Sequence, residues 1–87
     1  MGLPKPHPRV LSRRLGDEVV LVHLDTNQIY ALNETGARFW ELLAETRDRD
    51  AAEATLRAEF DVSPDELSAE VDRLLGELVR LGLVQGA

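Results

Sequence analysis

His7 and His23 are the only histidines of the chain, and it has no cysteine. Any metal site or nucleophile–base pair would have to start from these two side chains. The missing cysteines exclude disulfides and thiolate-bound zinc. His7 stands among Pro4, Pro6 and Pro8, in a stretch expected to be extended and poorly ordered. His23 lies between Val22 and Leu24 of an apolar run, where it is expected at the surface or edge of a strand. Two such different settings do not make a metal site, and neither metal nor cofactor is expected. Asp17/Glu18 and Asp65/Glu66 have the composition of an acid–base pair. Adjacent residues point in different directions, however, and acids in a first helical turn serve the macrodipole. The glycines at 16, 36, 76, 82 and 86 form neither a phosphate loop nor a dinucleotide fingerprint. The chain reads as non-catalytic.

The totals agree. With 87 residues there is material for one small domain without a deep enclosed cleft. The first residues lack the apolar region of a secretory signal, and no run approaches the roughly 18 apolar residues of a membrane span. A soluble, cytoplasmic protein without membrane contact is expected. The net charge is −6, and it is unevenly spread: Lys5, Arg9, Arg13 and Arg14 give the first 14 residues +4, which leaves −10 for the rest.

The elements that position these residues follow from pattern. Residues 1–8 read as a flexible lead-in, 9–84 as the folded domain and 85–87 as a tail. "RVLSRRL" is a marginal first strand. "EVVLVHLD" is a stronger one whose continuous apolar run suggests a strand central in the sheet or covered on both faces. "DTN" supplies a turn, with Asn27 suited to a left-handed conformation, and "QIYAL" returns as a third strand. Asn33 then caps a helix over 34–45, with Ala37, Phe39, Trp40, Leu43 and Ala44 on its apolar side. A second helix over 50–60 has the weakest periodicity. In the third, Ser63 and Glu66 form a capping box, Pro64 takes the first helical position and Gly82 ends the helix after Leu81. The expected fold is α+β and winged-helix-like: a three-stranded antiparallel sheet followed by three helices.

A winged helix invites a nucleic-acid reading, which the charges oppose. Residues 65–81 carry five acids against Arg73 and Arg80, and residues 50–61 carry four against Arg57, so each region is −3. Both repel phosphate. A surface that binds polypeptide fits better. The apolar stripe of the third helix fans over roughly 160°, wider than a core-facing helix needs. The strand "QIYAL" also has no following strand, and an open edge beside an apolar helix flank is the geometry of β-strand addition. An acidic winged-helix interaction module of another kind is the alternative, and a DNA-binding regulator ranks third.

"YALNETGARFWELL", residues 30–43, resembles the signature of the PqqD family, with Tyr30, Leu32, Asn33, Thr35, Gly36, Trp40, Leu42 and Leu43 in place. "GDEVVLVHLDTNQ" is similar to the family's strand pair. "LRAEFDVSPDEL" is similar to its linker, with Phe60 for Tyr. "EVDRLLGELVRLGLV" is similar to its closing helix, with Glu70 for Asp and Leu74 for Phe. The resemblance covers about residues 9–84. It implies a recognition element for ribosomally made, modified peptides: a non-catalytic domain that grips a precursor's leader peptide and presents it to a leader peptidase and to a cyclase or other modifying enzyme. It also implies that the leader lies as an added strand on the third strand and packs on the third helix. The candidate contacts are the backbone of Gln28, Ile29, Tyr30, Ala31 and Leu32 and the side chains of Ile29 and Tyr30. The third helix adds Val71, Leu74, Leu75 and Leu78, with Glu70 and Asp72 for cationic leader residues. For Leu32 and Trp40 the main role is core. Stand-alone members serve pyrroloquinoline quinone synthesis or split lasso-peptide proteases, and the proline-led, Ala/Arg/Glu-rich chain resembles the lasso type.

Overall fold

The computed structural model describes residues 2–86. Three antiparallel strands form the sheet, β2 (Val10–Leu15), β3 (Glu18–His23) and β4 (Ile29–Leu32), in the order β2-β3-β4. Gly16 and Asp17 connect the first pair, since Leu15 and Glu18 still face each other. Asn27 turns the chain into β4 with φ 62°, the left-handed conformation that its short polar side chain tolerates. The helices α1 (Glu34–Glu45), α2 (Arg49–Glu59) and α3 (Pro64–Arg80) follow. A small second sheet pairs β1 (Lys5–Pro6) with β5 (Val84–Gln85).

Each helix starts where a side chain accepts its free N–H groups. Asn33 Oδ1 accepts from Gly36 N–H at 2.9 Å. The Asp48 carboxylate accepts from the amides of Asp50 and Ala51. Ser63 Oγ accepts from Glu66 N–H at 3.2 Å and donates to the Glu66 carboxylate. Such caps contribute about 1 kcal/mol each. At the end of α3, Gly82 has φ 71°, its N–H bonds to Val79 O, and Leu83 N–H bonds to Leu78 O. That is a Schellman cap, which turns the chain back so that Leu83 and Val84 are buried.

The core lies between the sheet and the helices. Leu21, Phe39, Leu43, Leu56, Leu67, Leu78 and Leu83 are almost fully enclosed. Fully burying a side chain of this size contributes roughly 1.5–3 kcal/mol. Leu32 and Trp40 belong to this core, and α1 packs against β3 and β4. Among the described residues no helix covers the other sheet face: Leu11, Arg13, Leu15, Ile29 and Ala31 stay exposed there. β3 is thus central in the sheet but covered on one face only, with Val20 and Val22 half-buried on the other.

Two expectations about the ends and the histidines need correction. Residues 2–8 are not a loose lead-in. Leu3 is 2% exposed, its N–H bonds to Arg47 O, and the Arg47 guanidinium donates back to Leu3 O. The segment then joins β5 of the supposed tail, and His7 N–H bonds to Leu83 O. Met1 and Ala87 lie outside the described residues. The proline spacing sets an extended backbone, and Leu3 gives that backbone an apolar anchor. His23, in turn, is buried. It shares the phase of Val19 and Leu21, the inward residues of β3, and the unbroken apolar run hid that phase. His7 covers it at a ring separation of 4.6 Å, and each Nδ1 accepts a backbone N–H, from Asp25 and Arg9.

Candidate functional site

The two edges of the main sheet differ in chemistry. β2 reads VLSRRL and exposes Arg13 and Arg14; β4 reads IYAL and has no charge. Charge on an edge strand discourages pairing with another chain. The β2 edge is guarded in this way and the β4 edge is not.

Register identifies which β4 groups are free. His23 N–H bonds to Gln28 O at 2.9 Å, and the register continues as Val22↔Ile29, Leu21↔Tyr30, Val20↔Ala31 and Val19↔Leu32. In an antiparallel ladder bonded and non-bonded pairs alternate. Tyr30 and Leu32 therefore spend their backbone groups on β3, as Gln28 does its C=O. Ile29 and Ala31 aim theirs outward, two N–H donors and two C=O acceptors. Gln28, expected to contribute backbone, gives its C=O to His23 and its N–H to the Thr26 hydroxyl.

Beside this edge runs a groove of about 150 Å³ lined by Tyr30, Ala31, Leu32, Asn33 and Gly36 on one side and Glu70, Arg73 and Leu74 of α3 on the other. Gly36 permits its depth. A Cβ there would sit 3.3 Å from both Leu32 and Asn33, tighter than ordinary contact, so helix and strand close up at the Thr-Gly step. The groove continues past the end of β4 into a wider space walled by Asn33, Thr35, Val62, Glu66, Leu67 and Glu70.

The charged wall is organised. Arg73 donates two hydrogen bonds to the Glu70 carboxylate. That bonding holds Glu70 below its ordinary range, against the opposing effect of burial. Glu70 and then the nearby Tyr30 hydroxyl raise the already high pKa of Arg73. The guanidinium is thereby fixed at the groove mouth as a permanent cation.

The expected contacts on α3 divide. Glu70 and Leu74 line the groove. Val71 and Leu78, at 2% and 0% exposure, are core in this chain. Asp72 points to the opposite flank, where it pairs with Arg49 of α2 at 2.8 Å. Leu75 follows it round the helix, half-buried against the core and outside the groove. The wide apolar stripe thus serves two sides of α3, and only the Leu74 flank meets β4. On β4, Tyr30 and Ala31 line the groove, Leu32 forms its buried floor, and Ile29 stands out on the helix-free face with 66% exposure. Arg73 and Gly36 were not among the expected contacts. The signal for Arg73 was its spacing: Glu66, Glu70 and Arg73 fall four and three residues apart, on one face beside Leu74.

Among the described residues no three His, Asp or Glu side chains cluster as metal ligands, and no helix is long and apolar enough to cross a membrane. What the site offers is backbone hydrogen bonding, an apolar slot and one fixed cation. These are the means of holding an extended peptide by strand addition.

The arrangement is that of a small α+β recognition domain with one unguarded sheet edge. Residues 18–84 match the family described as Coenzyme PQQ synthesis protein D (PqqD), and the chain belongs to that family. It is also similar to TbiB1, in a structure of TbiB1 in complex with the TbiA(beta) leader peptide. The identity is 30% and the TM-score 0.86, over 95% of this chain and 96% of that one. No curated protein matches.

Proposed function

We propose that this protein is a non-catalytic adaptor that binds the leader peptide of a ribosomally made precursor by strand addition to β4 and delivers it to a leader peptidase or modifying enzyme. The observation that carries this reading is the uncharged β4 edge, with the free backbone groups of Ile29 and Ala31 set beside the Tyr30–Leu74 groove. Membership of the PqqD family and the likeness to a leader-bound TbiB1 support it. Delivery follows from tethering: a bound leader raises the effective concentration of precursor at any enzyme the adaptor also touches. The likeness to TbiB1 favours a precursor of the lasso-peptide type, whereas the family's description favours a pyrroloquinoline quinone precursor as the second reading.

Fluorescence anisotropy separates these readings, with two labelled probes, the TbiA(beta) leader and a pyrroloquinoline-quinone-type leader, at low and high salt. One probe is expected to bind saturably and with little salt dependence, because backbone bonds and apolar contacts are screened far less than phosphate-type contacts. Ala31→Pro removes an outward N–H while leaving the β3–β4 bonds in place. It is expected to weaken that binding at least about tenfold with the circular dichroism unchanged. Saturable binding of neither probe by the folded protein would overturn the proposal.

A further inference from the structure

In a strand added to β4, alternate side chains face opposite sides of the sheet. The residue beside Tyr30 turns toward the groove. The residues beside Ile29 and Ala31 emerge on the helix-free face. There, register places Leu11, Val22 and Ile29 in one row across β2, β3 and β4, and Arg13, Val20 and Ala31 in the next. Leu11 and Ile29 are 59% and 66% exposed, with Val22 half-buried between them. The apolar row therefore runs right to the open edge and stops at Ile29. A large apolar side chain at an unpaired edge is an aggregation hazard that sheets ordinarily blunt with charge, as Arg13 and Arg14 do on β2. On β4 the hazard is kept, at a position whose backbone groups are also free. Side chains on adjacent strands in such a pair lie within contact distance, roughly 4.5–5.5 Å between Cβ atoms.

We infer that Ile29 is a specificity-determining residue, which selects a leader carrying a large apolar residue beside it as the fourth member of the Leu11–Val22–Ile29 row. The inference rests on the strand-addition reading above. It narrows the class of leader accepted. A half-buried strand alternates apolar and polar residues, but this sheet reads the added strand on both faces. The accepted segment has two consecutive apolar residues, one for the groove under Tyr30 and Leu74 and one for the outer row.

The test uses the TbiA(beta) leader and a set of its variants with Asp placed at each position in turn, titrated against the wild-type protein and Ile29→Lys. Ile29 is so exposed that the variant keeps its fold, which circular dichroism checks. Ile29→Lys is expected to weaken the unmodified leader at least tenfold. It is also expected to restore binding of one Asp-bearing leader that the wild type rejects. The restored position neighbours the one whose Asp variant stays rejected because it faces the groove. Equal binding of the unmodified leader by Ile29→Lys and wild type, with Ala31→Pro still defective, would overturn the role of Ile29 and leave strand addition standing. Full binding by Ala31→Pro would overturn strand addition itself, and this inference with it.

Discussion

Glu70 and Arg73 stand one turn apart at the mouth of the groove, and their pairing makes the site sensitive to acid. The hydrogen bonds from Arg73 lower the Glu70 pKa from its ordinary 4.5. A carboxyl whose folded value lies below its unfolded one adds stability above the unfolded value and loses it as pH falls through the folded one. The side chain is 41% exposed, so solvent screening keeps this contribution small. Glu70→Gln is expected to lower the urea midpoint slightly at neutral pH, and the gap should close as pH falls below the ordinary carboxylate range and through the folded value. A gap that persists in acid would mean the carboxylate charge is not what Arg73 stabilises. At this scale the sequence was only partly legible. Leu32 and Trp40 were readable as core, but Asp72 and Leu75 were expected toward the leader and His23 at a strand's surface or edge, and the fold puts them elsewhere. On an apolar stripe this wide, spacing says which residues share a helix face and not which neighbour each flank meets. That Asp72 faces α2 depends on Arg49, 23 positions away in sequence.

The helices were the most legible elements because their starts are chemical. Asn33 and the Ser63/Glu66 pair mark two of them directly, and α3 begins at Pro64, the first helical position expected. Asp48 was missed as the cap of α2, where weak periodicity gave no reference for the first turn. Gly76 lies within α3 with ordinary helical φ and nothing within 4 Å of the position its Cβ would take. It has no evident structural task. Gly76→Ala is therefore expected to stabilise the protein by about 0.5–1 kcal/mol, read as a raised thermal midpoint with leader affinity unchanged. Lost affinity would show that α3 must flex to admit the peptide. The openness of β4 was legible on the condition that the first strand did not cover it, and the order β2-β3-β4 meets that condition. Its register was not: which residues turn outward depends on the ladder with β3, and that assigns the edge to Ile29 and Ala31.

Over the whole molecule, the two chain ends form a clasp that the sequence does not announce. Leu3 is buried, β1 pairs with β5, and His7 closes over His23. Leu3 bonds to Arg47, 44 positions away, β1 meets β5 from the other end of the chain, and His7 packs on a residue of β3, pairings that no local pattern encodes. The clasp lies away from the groove residues. Leu3→Ala is expected to cost about 2 kcal/mol or more and to lower the thermal midpoint by about 8 °C or more, while the folded protein keeps its leader affinity. An unchanged midpoint would return residues 2–8 to the status of a loose lead-in. The net charge of −6 acts on the same scale and opposes the approach of a polyanion such as nucleic acid.

That edge can be observed directly by hydrogen exchange of the backbone amides, followed by NMR, in the free protein and in the presence of saturating leader. In the free protein the Ile29 and Ala31 amides should exchange fast while Tyr30 and Leu32, bonded to β3, exchange slowly. Bound leader should slow Ile29 and Ala31 by an order of magnitude or more and leave the β2 edge unchanged. Binding that protects the β2 edge instead, or leaves Ile29 and Ala31 exchanging as fast as before, would contradict strand addition at β4.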